Sequence, residues 1–271
     1  MRKIPLYLIL LTTALGAGIF ISFIALRSIS TPSTRTSSLP GFESDPNATP
    51  RPISTPRPSP LSQTSPKPSA TPSRAPSPNQ ILYDVPFTPQ APFGEWENPK
   101  LSNGCEEASA FMAMSWVKGT GITPEQAKRE IIAISNYEEA NYGVYVDTSA
   151  QDTVNRIFKG FYGYQNVELA YDISVEDIKN QIRNGHLVIV PADGRELGNP
   201  YFTQPGPPRH MLVIIGYDPD NKQFITNDPG TRLGKQYRYS ESVLFNAIRD
   251  YPTGNDLSPT FKRTAMIIVK K

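Results

Sequence analysis

The sequence predicts an α+β domain over residues 81–271, with helices first and an antiparallel sheet after them. Two observations carry that prediction. Helical periodicity and helix caps gather between Cys105 and Gly185, whereas strand-like runs gather from His186 onward. In addition, "DPDN" from Asp218 joins two of those runs as a hairpin would, so the sheet is antiparallel rather than doubly wound.

Two segments precede the domain. Residues 4–26 contain no charged side chain, and as a helix they would span about 34 Å, enough to cross a bilayer. A cleavable signal peptide has a shorter apolar stretch and a small-residue cleavage site, which here is met only by "ALGAG" inside the run. Residues 1–27 are therefore predicted to be an uncleaved signal anchor. Arg2 and Lys3 keep the N-terminus cytoplasmic, although Arg27 and Arg35 weaken that bias, and the rest of this single-pass protein is exported to the periplasm or cell surface. Residues 28–80 hold 13 of the chain's 28 prolines among Ser and Thr, with few apolar residues. Such a segment cannot bury enough surface to offset its ordering entropy and is predicted to be a disordered, semi-rigid tether.

The elements of the domain follow in order. "ILYDVPF" from Ile81 reads as a short strand, and "PQAPFGEWENPKLSNG" as loop. Ala108, Phe111, Met112, Ser115 and Trp116 keep a three-four spacing that stops at Gly119, predicting a helix that starts at Cys105. "TPEQ" from Thr123 is a capping box with proline at the first helical position, and its helix is expected to run to about Ile134. A third helix starts near Thr148–Ser149 and carries Val154, Ile157 and Phe158; "SVED" from Ser174 opens a fourth. Strands are predicted in "HLVIVPA" from His186, "HMLVIIGY" from His210, "KQFITND" from Lys222, "GKQYRYS" from Gly234 and "AMIIVK" from Ala265. A short helix is expected in "SESVLFNAIRD". There is no internal repeat.

Composition narrows the chemistry. The net charge is +2 with the signs mixed, and no nucleic-acid-binding motif is present, so no nucleic-acid partner is expected. A single cysteine excludes an intramolecular disulfide and any multi-cysteine metal centre. An unpaired thiol is a liability outside the cell, which gives Cys105 a claim to function. A buried filler thiol would sit in an apolar run. Cys105 instead follows Ser-Asn-Gly at a helix start, where the helix dipole favours a thiolate. Glu106 and Glu107 oppose that effect unless they turn to solvent or to substrate.

The base can be His186 or His210, the only two histidines. His186 sits at a helix stop with no acidic residue opposite it and reads as structural. His210 opens a strand, and Asp228 ends the strand that pairs with it through the hairpin. In an antiparallel pair those two ends are neighbours. His210 with Asp228 as orienter is therefore the predicted base, and Cys105 the predicted nucleophile. The loop from Asp193 to Arg209 leads into His210, and its Tyr201 and Phe202 are candidate substrate contacts. No metal and no cofactor are required.

"VPFTPQ", "NGCEEAS", "RHMLVIIGYD" and "TNDPG" occur in the order Gln, Cys, His, Asp, and together they resemble the motifs of the C39-like, papain-fold cysteine peptidases. The resemblance covers residues 81–271. It implies a papain-like fold with the Cys helix packed on the sheet that carries His and Asp. It also implies Cys105 as nucleophile, His210 as general base and acid, Asp228 as orienter, Gln90 as an oxyanion-hole donor, and a thioester acyl-enzyme. Many members have Gly-Pro after the cysteine, where this chain has Glu106-Glu107. Expected partners are a peptide, protein or cell-wall peptide substrate, and the membrane through the N-terminal helix. A non-catalytic papain-fold module binding peptide or cell wall, and a thiol acyl transferase, are the alternatives.

Overall fold

The computed structural model describes residues 78–254 and 263–271. The predicted anchor and nearly all of the tether lie outside the described residues. Among the described residues no helix is long and apolar enough to cross a membrane.

Seven strands form one antiparallel sheet. They are β1 (Ile81–Leu82), β2 (Val167–Tyr171), β3 (Leu187–Ala192), β4 (His210–Asp218), β5 (Gln223–Asn227), β6 (Tyr237–Ser240) and β7 (Ala265–Val269). Their order is β2-β7-β3-β4-β5-β6, and β1 pairs with β4 at Ile81↔Tyr217 and Leu82↔Gly216. The β4–β5 hairpin has the predicted turn, with Asp218 Oδ1 accepting from the Asn221 N–H at 3.2 Å.

The helices are α1 (Pro99–Ser102), α2 (Cys105–Lys118), α3 (Pro124–Tyr142), α4 (Ala150–Asp152), α5 (Val175–Arg183), α6 (Gly194–Leu197) and α7 (Glu241–Ala247). A π-helical stretch, Thr153–Phe161, continues α4. The caps read from sequence are present. Thr123 and Ser174 each close a capping box, and Ser149 and Ser240 accept from the N–H three residues on. Helix α2 ends at Gly119 in the left-handed conformation, as a glycine stop requires.

Strand alternation sends side chains to two cores. Met211, Val213 and Ile215 of β4 join Ile189 and Ile267 under α2 and the π-helical stretch. Leu212 and Ile214 join Val190 and Ile268 under α5 and α7, so helices cover both faces of the sheet and not only the face under the N-terminal helices. Each fully buried Ile or Leu contributes roughly 1.5–3 kcal/mol. A hydrogen bond from Ser109 Oγ to the Met211 carbonyl (3.2 Å) fixes α2 on β4 one residue from His210.

Four differences from the sequence expectations have local causes. Helix α3 runs eight residues past Ile134, because "SNYEEANY" is polar yet still good helix former, and it stops only at left-handed Gly143. Strand β2 pairs only with β7, at the edge of the sheet, and has one buried residue, so it lacks a strand pattern. Helices α1 and α6 are single turns capped by Asn98 and Asp193, too short to show periodicity. The stretch 153–161 is π-helical where an α-helix is expected, and the apolar spacing does not separate the two, since Val154, Ile157 and Phe158 are buried as expected.

Candidate active site

The site forms where the N-terminus of α2 meets one end of the sheet. Gly104 N-caps α2 and puts Cys105 in its first turn. The β4–β5 pairing puts the start of β4 beside the end of β5, and His210 Nε2 lies 2.8 Å from Asp228 Oδ1. Both residues are buried, at 1% and 0% exposure. Cys105, His210 and Gln90 line a cleft of about 450 Å³ together with Trp96, Asp147, Phe202 and the loop from Thr203 to Arg209.

Asp228 is held on every side. Its Oδ1 also accepts from the Gly230 N–H at 3.0 Å, and its Oδ2 accepts from Tyr239 Oη at 2.6 Å and from Asn199 Nδ2 at 3.4 Å. Burial pushes the Asp228 pKa up, but the His210 imidazole and these donors outweigh it, so the carboxyl titrates below its usual range. With Nε2 committed to Asp228, the remaining ring nitrogen of His210, Nδ1, is the one available to a substrate or a thiol. Phe202 packs edge-on against the imidazole at 5.3 Å between centroids and fixes the ring from the side. Gly230 allows the close approach. A Cβ there would lie 2.9 Å from His210 Cε1 and 2.8 Å from Phe202 Cε1.

Gln90 is anchored by its backbone N–H to the Pro229 carbonyl (2.9 Å) and by Nε2 to the Ser102 carbonyl (2.8 Å). These two bonds clamp it between the Asp228 loop and the turn before Cys105. An amide carries two N–H donors, so one remains beyond the Ser102 bond.

Cys105 is buried at 6% exposure, and its thiol hydrogen-bonds Glu106 Oε2 at 3.0 Å rather than the imidazole. Burial first, and the Glu106 carboxylate second, push the thiol pKa well above its usual value. The helix dipole therefore does not prevail in this arrangement. Nor do the carboxylates turn to solvent, since Glu106 and Glu107 are 1% and 0% exposed. Burial raises the Glu106 pKa to about 7 and that of Glu138, on α3, to about 8. Glu107 is pushed well up by burial and by its neighbours Glu106 and Glu138. Ser135 Oγ donates to Glu107 at 2.7 Å and Thr148 Oγ1 to Glu138 at 3.1 Å, which leaves Glu107 Oε2 and Glu138 Oε2 without a partner.

The two aromatic candidates separate. Phe202 faces the cleft, whereas Tyr201 is half exposed and packs edge-on against Tyr237, 6.1 Å away, outside the cleft lining. His186 hydrogen-bonds Gln181 through Nδ1 at 2.8 Å and is not among the cleft residues. Tyr239, Asn199, Asp147 and Tyr251 belong to the site and were not singled out from sequence. Tyr239 pairs opposite Phe224, near the start of β5, so strand register does not point to it, and only its hydroxyl reaches Asp228 Oδ2. The others lie on loops or turns, where no periodicity marks them. Among the described residues His, Cys, Asp and Glu do not gather in threes as a metal centre requires.

The family model described as Peptidase_C39 like matches residues 82–251, from β1 to Tyr251, and so takes in the whole cleft. A search of curated proteins finds no match. Among solved structures, a candidate C39-like peptidase from Bacillus anthracis is similar at 17% identity and a TM-score of 0.44, covering 71% of this chain and 98% of that one. The family match spans more than half of the sequence, and the chain therefore belongs to the Peptidase_C39 like family.

Proposed function

We propose that this protein is a membrane-anchored, extracytoplasmic cysteine peptidase that cuts peptide or related amide bonds through an acyl-enzyme on Cys105. Family membership supports cysteine-peptidase chemistry and a peptide or protein substrate. The observation that carries the residue assignment is the 2.8 Å His210–Asp228 contact at the wall of the cleft that also contains Cys105 at its helix start. The uncharged run 4–26 and the proline-rich segment 28–80 support the anchor and tether, with the domain facing a protein or cell-wall peptide.

In this mechanism the Cys105 proton passes to His210 Nδ1, and the thiolate attacks the scissile carbonyl carbon. The carbonyl π pair moves to oxygen, where the Cys105 main-chain N–H and the second N–H of Gln90 receive it. Collapse breaks the C–N bond, and His210 protonates the leaving amine. His210 then takes a proton from water, and the hydroxide breaks the thioester. Asp228 holds the imidazole in the tautomer with its proton on Nε2 and stabilises the imidazolium.

The test compares alkylation of Cys105 by iodoacetamide at neutral pH in the wild type and in His210→Ala. An activated thiol reacts faster than its burial allows, and the substitution is expected to slow it at least about tenfold. A slow rate that ignores His210 would instead favour the binding-module alternative.

A further inference from the structure

Glu106 occupies a position that the triad does not use. Its Oε2 accepts from the Cys105 thiol at 3.0 Å, and its Oε1 accepts from Tyr251 Oη at 2.7 Å. The same hydroxyl lies 3.4 Å from the His210 carbonyl, so one buried chain of contacts runs from the sulfur through the carboxyl to the backbone of the base. Glu106 is 1% exposed and Tyr251 4%. A carboxyl in contact with the reacting sulfur determines which charge the sulfur can carry.

Resting on the reading of Cys105 as nucleophile, we propose that Glu106 is a further catalytic residue that works in its protonated form, its Oε2–H hydrogen-bonding the Cys105 thiolate. In the ionised form the carboxylate accepts the thiol proton and opposes a second negative charge 3.0 Å away, so the sulfur stays a thiol. In the acid form that repulsion is gone. The S–H bond then breaks, its proton forms the N–H bond on His210 Nδ1, and the Glu106 proton remains on Oε2 as a donor to the sulfur. Glu106 thus neither gains nor loses a proton during a turnover; its protonation state sets whether turnover starts.

The groups around Glu106 favour this form. Burial disfavours its charge. Glu107 lies beside it on α2, and Glu138 on α3 feels its charge. Asp147, from the segment before α4, adds a further negative charge, partly offset by Arg209, the residue before β4, whose Nη1 is 2.8 Å from Asp147 Oδ2. Tyr251, from the segment after α7, is the donor that favours the carboxylate, together with the thiol itself. His210 contributes its carbonyl on this side and its imidazole on the cleft side.

The experiment is the pH profile of Cys105 alkylation in the full-length protein in mild detergent, for the wild type, Glu106→Gln and Tyr251→Phe. Glutamine is neutral and keeps an N–H donor to the sulfur. At pH 8 Glu106→Gln is expected to alkylate about tenfold faster than the wild type, one pKa unit of the thiol, and at pH 5.5 the two rates are expected to converge. Equal or slower alkylation by Glu106→Gln at pH 8, or a ratio independent of pH, would overturn the proposal. Tyr251→Phe keeps Glu106 but removes the donor that favours its carboxylate. The pH at which alkylation is suppressed is therefore expected to move upward, and an unmoved profile counts against the proposal even if Glu106→Gln fails to fold. His210→Ala separates the two claims. If it slows alkylation while Glu106→Gln behaves as wild type, Glu106 alone is misassigned; if it leaves the rate unchanged, the triad itself is.

Discussion

Replacing Asp228 with alanine is expected to cut turnover by about three to four orders of magnitude and to destabilise the fold by about 3 kcal/mol or more. The two effects have one source. Asp228 is fully buried and accepts from four donors, namely His210 Nε2, the Gly230 N–H, Tyr239 Oη and Asn199 Nδ2. Without it, those donors remain buried without their acceptor, each at a cost of about 1–3 kcal/mol, less what the site recovers by rearranging. The imidazole also loses the acceptor that selects its tautomer, so Nδ1 no longer faces the cleft ready to take a proton. Asparagine at this position keeps the shape but not the charge. It is expected to recover most of the stability and little of the turnover. Chemical denaturation and steady-state kinetics on the two variants check the pair of effects, and an alanine variant of wild-type stability would show that Asp228 is not the hub of this network.

Stability is expected to fall as pH rises from about 5 to about 9, opposite to the behaviour of a protein held by ionised carboxylates. Glu106, Glu107 and Glu138 all have folded-state pKa values above those of an unfolded chain, Glu106 at about 7 and Glu138 at about 8. Above pH 4.5 the unfolded chain releases these protons while the native state still holds them. The native state therefore binds more protons through that window, and raising the pH favours unfolding until the folded-state values are passed. Each such proton contributes about 1.4 kcal/mol per pH unit over the interval in which the native state holds it and the unfolded chain does not. Asp228, Asp193 and Asp218 have lowered values and work the other way, but only below about pH 4, where they become protonated. Guanidinium midpoints are expected to be higher at pH 5.5 than at pH 8.5, and Glu138→Gln is expected to flatten the difference. Midpoints that rise toward pH 8.5 would mean that the buried carboxyls are ionised in the native state.

The same buried carboxyls mark the limit of what sequence could convey. The positions of Cys105, His210 and Asp228 were legible, because a capped helix start and an antiparallel hairpin are short-range features that fix where their ends lie. Gln90 was reachable only through the resemblance, since the two bonds that seat it come from a carbonyl twelve residues on and from Pro229. The direction of Glu106 was not legible. A glutamate in the first turn of a helix ordinarily faces water and favours the dipole. Here the first turn is covered by Tyr251, which arrives 145 residues later and supplies the hydroxyl that lets a carboxyl be buried. The separation of Phe202 from Tyr201 is of the same kind. Adjacent residues on a loop point in different directions, and only the neighbours, His210 for one and Tyr237 for the other, determine which of them reaches the cleft.

The fold also explains why the site lies where it does. β4 is central in the sheet, with β3 and β1 on one side and β5 on the other, and it delivers His210 at its first residue. Helix α2 is fastened to β4 through Ser109 and the Met211 carbonyl, so the sulfur and the imidazole are set by two elements that are themselves joined one residue away from the base. Holding reactive groups on regular elements, with the cleft wall left to the loop 203–209, gives a rigid centre and a variable approach.

The central claim is that Cys105 becomes acylated during turnover, and trapping that intermediate tests it most directly. A peptide library is first used to find a cleaved sequence. An activated ester of the acyl half is then added to the full-length protein, the reaction is quenched in acid, and the intact mass is measured with the adduct mapped by digestion. The expected result is one acyl group on Cys105 in the wild type, none in Cys105→Ala, and loss of cleavage in that variant. Cleavage that survives in Cys105→Ala, or an adduct on another residue, would contradict the account.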